Sequence, residues 1–207
     1  MTEIQLWSIP ELWPGSTVFI IGGGPSLMGM NLEPLKDKRV IGTNVAFLKY
    51  PWVDVTFFGD CGFRATVFDQ LWRWRGLKIT CCDARTASGW NDVRVVGRSR
   101  KRFGIEHENR SKISWNGNTG ASAINLAWWL GARTVVLLGF DMRPVGEQHN
   151  WHDFYPKRGR NFNPYRNHMK GWPHIAADAA QIGLSVCNAT PDSAIQEFPY
   201  VPLEELI

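Results

Sequence analysis

The stretch Val18-Phe19-Ile20-Ile21-Gly22-Gly23-Gly24-Pro25-Ser26-Leu27 decides the fold. Four consecutive apolar residues are the pattern of a strand buried on both faces, and the glycines end it abruptly. Pro25 holds φ near the helical value and suits a first helical turn. Glycine permits positive φ and puts no Cβ in the way of a ligand. The amides of Gly22, Gly23 and Gly24 are therefore expected to converge on an anion such as phosphate, with the Ser26 hydroxyl as a further donor. A plain strand-to-helix turn would use glycine too, but three glycines followed by Pro-Ser exceed what a turn needs.

Outward from this unit the chain alternates short apolar runs with amphipathic stretches. Strands are expected at 18–21, 39–43, 55–58, 78–81, 93–96, 134–138 and 184–188, and helices at 25–30, 65–74, 119–130 and 167–182. Near-continuous apolar strands separated by helices predict an α/β fold, a Rossmann-like, doubly wound and mostly parallel sheet. In such sheets ligands sit beyond the carboxyl ends of the strands, where strand order reverses. After the sixth expected strand, residues 142–167 are dense in Gly, Pro, Asn, His, Arg and aromatics, with weak periodicity. A stretch of that kind is expected to be a lid-like active-site loop. The residues 197–207, with Pro199 and Pro202, read as an extended tail on the surface.

A length of 207 residues suits one domain spanning 1–207. The net charge of +4 allows an anionic partner without requiring one. Local clusters say more: Arg98, Arg100, Lys101 and Arg102 lie in one segment, and Arg158, Arg160 and Arg166 in another. Either suits an anionic ligand or a solvated loop. Trp72-Arg73-Trp74-Arg75 interleaves rings with cations, a pattern that suits stacking on bases or sugars and equally the core face of a helix. Cys61, Cys81, Cys82 and Cys187 form no CxxC pair, so reduced thiols and no zinc site are expected. No signal-like start and no run of about 18 uncharged apolar residues is seen, so a soluble, cytoplasmic protein without a membrane span is expected.

The residues after each strand carry the candidate chemistry. Asn44 offers an acceptor and donors for a base, ribose or phosphate. Asp60 suits a ribose hydroxyl, a metal, an acceptor or the cap of the next helix. Asn118 or Thr119 is a reasonable N-cap for the helix that follows. Gly120 would let a ligand approach its free amides, making a second anion site that faces the first. Asp141 ends the sixth expected strand. His149 and His152, three apart on the loop behind it, suit a general base or, with Asp141 or Asp153, a metal ligand set. For His168 and His174 a structural role is expected. Hydride transfer is disfavoured because the turn lacks GxGxxG spacing.

The Gly22-to-Leu27 turn, the Thr43-Asn44 pair, the Asn118-to-Ser122 helix start and the strand end Leu138-Gly139-Phe140-Asp141 occur in this order in two groups that the chain resembles over roughly residues 16–190. One is the small bacterial sialyltransferases of the Campylobacter type. The other is the 6-hydroxymethylpterin diphosphokinase-like group. Small phage-encoded proteins of unassigned role look similar, which would place the chain in a host cytoplasm. The first resemblance implies a nucleotide-sugar donor held by Gly24, Ser26 and Asn44, and a hydroxyl acceptor deprotonated by His149 or His152. This chain carries Gly23 where those enzymes typically have asparagine. The second implies a magnesium-bound triphosphate with Asp60 and Asp141 as candidate carboxylates, magnesium needing only one or two from the protein. Group transfer from a nucleoside phosphate to a glycan, a small molecule or DNA is the expected activity. A non-catalytic nucleotide- or nucleic-acid-binding protein is the other class, and an oligomer is allowed.

Overall fold

The computed structural model describes residues 5–84, 86–87, 90–154 and 163–207. In chain order its strands are β1 (Thr17–Ile21), β2 (Arg39–Thr43), β3 (Val55–Phe58), β4 (Leu77–Thr80), β5 (Arg94–Val95), β6 (Gly97–Arg98), β7 (Lys112–Ile113), β8 (Thr134–Leu138) and β9 (Ser185–Asn188). Seven of them form one sheet in the order β5-β4-β3-β2-β1-β8-β9, every pair parallel. The short β6–β7 pair stands apart and was not expected from the sequence. The fold is the Rossmann-like α/β sheet that the apolar runs predict.

Side chains alternate across the sheet, so each strand feeds two cores. Val18 and Ile20 of β1 join the core beneath the two long helices, α4 (Thr119–Trp129) and α6 (Trp172–Ile182), while Phe19 and Ile21 join the opposite one. Val135 and Leu137 of β8 divide from Val136 and Leu138 in the same way. Full burial of each such side chain stabilises the fold by about 1.5–3 kcal/mol, which makes an apolar strand a strong signal.

The helices depart more from expectation. Residues 25–28 form a 3-10 turn, and α1 (Ala46–Lys49) was not expected. The helix expected over 65–74 is two helices, α2 (Cys61–Thr66) and α3 (Phe68–Arg73), broken at Val67, whose φ of −129° and ψ of 29° are not helical. The one expected over 167–182 comprises α5 (Tyr165–His168), a 3-10 turn and α6. Pro173 lies in the first turn of α6, where its missing amide is not needed, so a helix restarts there rather than continuing. Gly183 ends α6 at φ +70°.

The chain builds β1 through β5 outward in one direction, then returns through α4 to lay β8 against the other side of β1. Strand order reverses between β1 and β8, the switch point at whose carboxyl ends sheets of this kind form their ligand crevice. No helix among the described residues is long and apolar enough to cross a membrane.

Candidate active site

The glycine turn lies at the crevice but does not form the open cradle expected. The Gly22 amide donates to the Leu138 carbonyl at 2.8 Å and the Gly24 amide to the Gly139 carbonyl at 2.8 Å. The Ser26 amide and hydroxyl both donate to Asp141, at 3.3 and 2.8 Å. None of the three glycines has positive φ. They are required for close approach instead. A Cβ on Gly22 would lie 2.6 Å from the Gly139 oxygen, and one on Gly24 would lie 1.8 Å from an Asp141 carboxylate oxygen. The glycines admit the end of β8, which takes up the Gly22 and Gly24 amides. Among the described residues only the Gly23 amide of this turn is left without a recorded partner.

Asp141 is 2% exposed, and burial pushes its carboxyl above the usual range while the two bonds from Ser26 oppose the rise. The strand end that carries it is fixed from the far side. Thr190 accepts the Phe140 amide at 2.9 Å, and Ser193 donates to the Phe140 carbonyl at 2.6 Å. Asp141 is thus a buried brace between β8 and the glycine turn.

The described part of the 142–167 segment folds onto the same turn; residues 155–162, with Arg158 and Arg160, lie outside the described residues. The Trp151 amide donates to the Gly23 carbonyl at 3.1 Å, and the Lys49 ammonium lies 5.2 Å from the Trp151 ring centre. His149 Nδ1 is 3.0 Å from the Tyr165 hydroxyl, with the two rings stacked at 5.6 Å. Burial, and then the charge of Asp141, push the Tyr165 phenol up to about 12, so it stays protonated. His152 is held differently. Its Nδ1 accepts the Phe154 amide at 3.3 Å, and burial pushes its pKa down to about 4, with Asp153 opposing. Burial also lowers His168, whose carbonyl accepts from the Asn118 side chain at 3.2 Å. His174 stacks on Phe103, as a structural histidine does.

The start of α4 faces this cluster. Asn118 caps it by accepting the Ala121 amide at 2.8 Å. The amides of Thr119 and Gly120, in the first turn, have no intrahelical acceptor, and none is recorded among the described residues. A Cβ on Gly120 would lie 2.6 Å from the Phe140 ring, so this glycine seats the helix start against the end of β8. Asn44, at φ +52°, has a buried Oδ1 at the end of β2 with no hydrogen-bond donor among the described residues. A buried acceptor without a donor carries a desolvation cost of about 1–3 kcal/mol that a ligand N–H or O–H would relieve.

Asp60 lies further along. It caps α2, accepting the Gly62 amide at 3.0 Å, and borders a cavity of about 590 Å³ shared with Trp115 and Arg98. Arg98 donates to the carbonyls of Gly59 and Cys81, at 2.5 and 2.8 Å, and stacks on Trp115 at 3.9 Å. Lys101 pairs with Asp178 at 2.6 Å. The basic run at 98–102 therefore turns partly inward rather than forming an open anion patch. The cysteines also correct the expectation: Cys61 and Cys82 form a disulfide, their Cα atoms 5.2 Å apart, while Cys81 and Cys187 are free and buried. β3 and β4 are adjacent and parallel, so residues just past their ends meet although 21 positions separate them.

Glycine turn, Asp141, His149 and the start of α4 are brought together as the strand-end rule predicts; Asp60 is set apart. Asp60 and Asp141 follow strands three spacings apart, about 14 Å, too far to hold one ion jointly. Sequence reasoning missed Tyr165, Lys49 and Trp151. No short motif marks Tyr165, although its place behind the histidine loop and before a helix was visible.

No protein-family profile matches the chain, and no curated protein matches it in sequence. Solved structures do match it in shape. The MAf glycosyltransferase of Magnetospirillum magneticum superposes with a TM-score of 0.66 at 17% identity, over 97% of this chain and 36% of that one. The chain thus spans about a third of that protein's length. The sialyltransferase CstII of Campylobacter jejuni, in complex with cytidine-5′-monophosphate, gives 0.56 at 13% identity, over 91% of this chain and 86% of that one. An α-2,3-sialyltransferase of the same organism in apo form gives 0.53 at 13%, over 95% and 84%. The fold is thus one shared with glycosyltransferases.

Proposed function

We propose that this chain is a nucleotide-dependent glycosyltransferase, moving a sugar from a nucleotide-sugar donor to a hydroxyl acceptor, with residues 1–207 acting as one unit. The observation that carries the reading is the His149–Tyr165 pair, held at the switch point above Asp141 and beside the open amides of α4. The fold shared with sialyltransferases, one of them holding cytidine monophosphate, supports it.

The donor phosphate sits at the Thr119 and Gly120 amides, where unbonded N–H groups and the helix dipole favour negative charge. Asn44 Oδ1 accepts from the nucleoside. Residues 142–154 cover the donor, with Trp151 anchored on Gly23. His149 donates Nδ1–H to the Tyr165 oxygen, whose own proton points back to the His149 carbonyl at 3.5 Å. This leaves the Nε2 lone pair free. In one displacement Nε2 takes the acceptor proton, the acceptor oxygen bonds to the anomeric carbon, and the bond from that carbon to phosphate breaks. The nucleoside phosphate leaves with its electron pair, its charge met by the α4 amides. An acceptor with its hydroxyl at Nε2 extends from there toward the cavity beside Asp60, two strand spacings from β1.

The test is thermal stability against cytidine, uridine, guanosine and adenosine phosphates, each with magnesium or chelator, since a ligand of the folded state raises the midpoint. The reading predicts a metal-independent rise with a pyrimidine monophosphate, and nucleoside monophosphate release from the matching sugar donor. His149→Ala should cut that release about 10²- to 10⁴-fold while nucleotide affinity holds. A rise only with magnesium and a triphosphate would replace the reading with a diphosphokinase. Binding without donor consumption would replace it with a binding protein.

A further inference from the structure

On the far side of the molecule from the crevice, the end of α3 and the start of β4 enclose a groove of about 540 Å³ lined by Trp72, Arg73, Trp74, Arg75 and Lys78. Its two indoles are set in different ways. Trp74 is fixed: its Nε1 donates to the Pro51 carbonyl at 3.0 Å, its ring packs on Phe47, and it lies over Gly76, where a Cβ would come within 2.1 Å of the ring. Trp72 points outward and is 61% exposed. Its ring stacks on Phe68 one turn earlier, with centroids 6.5 Å apart and planes 22° from parallel. On Phe68 the Arg64 guanidinium lies 4.5 Å from the ring centre. The result is a column of guanidinium, benzene and indole, open at the indole.

The charges around this column are unbalanced. Along residues 61–80, which carry the column and the groove, Arg64, Arg73, Arg75 and Lys78 stand against Asp69 alone, and Asp92 lies beside Lys78. Among the described residues Arg73 and Arg75 have no recorded ion pair. Lys78 is the telling member. It is only 8% exposed, at the floor of the groove, and its ammonium lies 3.7 Å from Asp92, longer than a hydrogen bond, with the Trp74 ring at 5.9 Å. A cation at that depth is within reach of a phosphate that enters the groove, and out of reach of a flat membrane surface.

We propose that this groove binds single-stranded nucleic acid, with a base extending the stack on Trp72 and adjacent phosphates meeting Arg73, Arg75 and Lys78. Stacking platforms beside a cationic track bind single strands because every base offers a π-face, and the backbone supplies the charge. The inference does not depend on the transferase reading, since the crevice and the groove lie at opposite ends of the strands.

The experiment is fluorescence anisotropy of a fluorescein-labelled oligothymidylate of about 15 nucleotides at two salt concentrations, about 50 and 200 mM. Binding should weaken with salt. Trp72→Ala should weaken it about five- to a hundredfold. Trp72→Phe should retain most of the affinity. Arg73→Ala combined with Arg75→Ala should lower the slope of log affinity against log salt by about 1.4. Urea midpoints and cytidine monophosphate binding of these exposed-site variants should match those of the parent. No binding, binding indifferent to Trp72→Ala, or tighter binding of a duplex or of phosphatidylserine vesicles would each overturn the proposal.

Discussion

Two glycine-bearing turns flank the switch point, Gly22 to Ser26 after β1 and Asn118 to Gly120 at the start of α4. Both carry the sequence features of an anion site. They differ in what they leave open. In the first, the amides of Gly22, Gly24 and Ser26 are bonded to the end of β8 and to Asp141, and among the described residues Gly23 alone is left over. In the second, Asn118 satisfies the Ala121 amide, and Thr119 and Gly120 are unbonded among the described residues. Glycine in a sequence marks a close approach, and the approaching group can be the protein's own strand as readily as a ligand. Where an N-cap takes one donor of a helix start, the remaining donors stay available.

The largest effect that separates the two turns comes from Gly24→Ala. Its Cβ would overlap the Asp141 carboxylate, so we expect a loss of about 3 kcal/mol or more in urea unfolding. Gly23→Ala, whose Cβ would meet only the Asn150 side chain at 3.3 Å, should cost less than about 1 kcal/mol. Equal costs would break the claim that Gly24 is there for Asp141. Next in size is Asn118→Ala, which removes the α4 cap and should lower stability by about 1 kcal/mol. Unchanged stability would show that the cap is dispensable.

A third test concerns the loop covering the first turn, through His152, and reads a pH dependence rather than a single loss. Its folded pKa, about 4, lies below the ordinary 6.5, so between these values the unfolded chain takes up a proton that the folded chain refuses. Stability should therefore be greatest above pH 6.5 and decline as pH falls toward 4. His152→Gln should show a shallower decline in urea midpoints than the parent. An identical slope would mean that His152 is not held neutral by the fold.

The sheet was legible because short apolar runs bounded by turn residues favour strands buried on both faces: 39–43, 55–58 and 134–138 match residue for residue. Helix boundaries were less so, since the periodicity of 65–74 does not register the single non-helical residue at Val67. Within the site, positions fixed by strand ends were legible and roles were not. Ser26 and Asp141 each look like a free polar group in the sequence, and only the β1–β8 pairing makes them partners. The Cys61–Cys82 bridge and the His149–Tyr165 pair likewise arise from tertiary contact between segments that carry no mutual signal.

The central claim is that donor phosphate is held at the start of α4 rather than in the glycine turn. Amide chemical shifts of the ¹⁵N-labelled protein, followed while cytidine monophosphate is added, test it most directly. The account predicts the largest changes at Thr119 and Gly120, with Gly22, Gly24 and Ser26 nearly still. Large changes across Gly22 to Ser26 with Thr119 and Gly120 unmoved would contradict it.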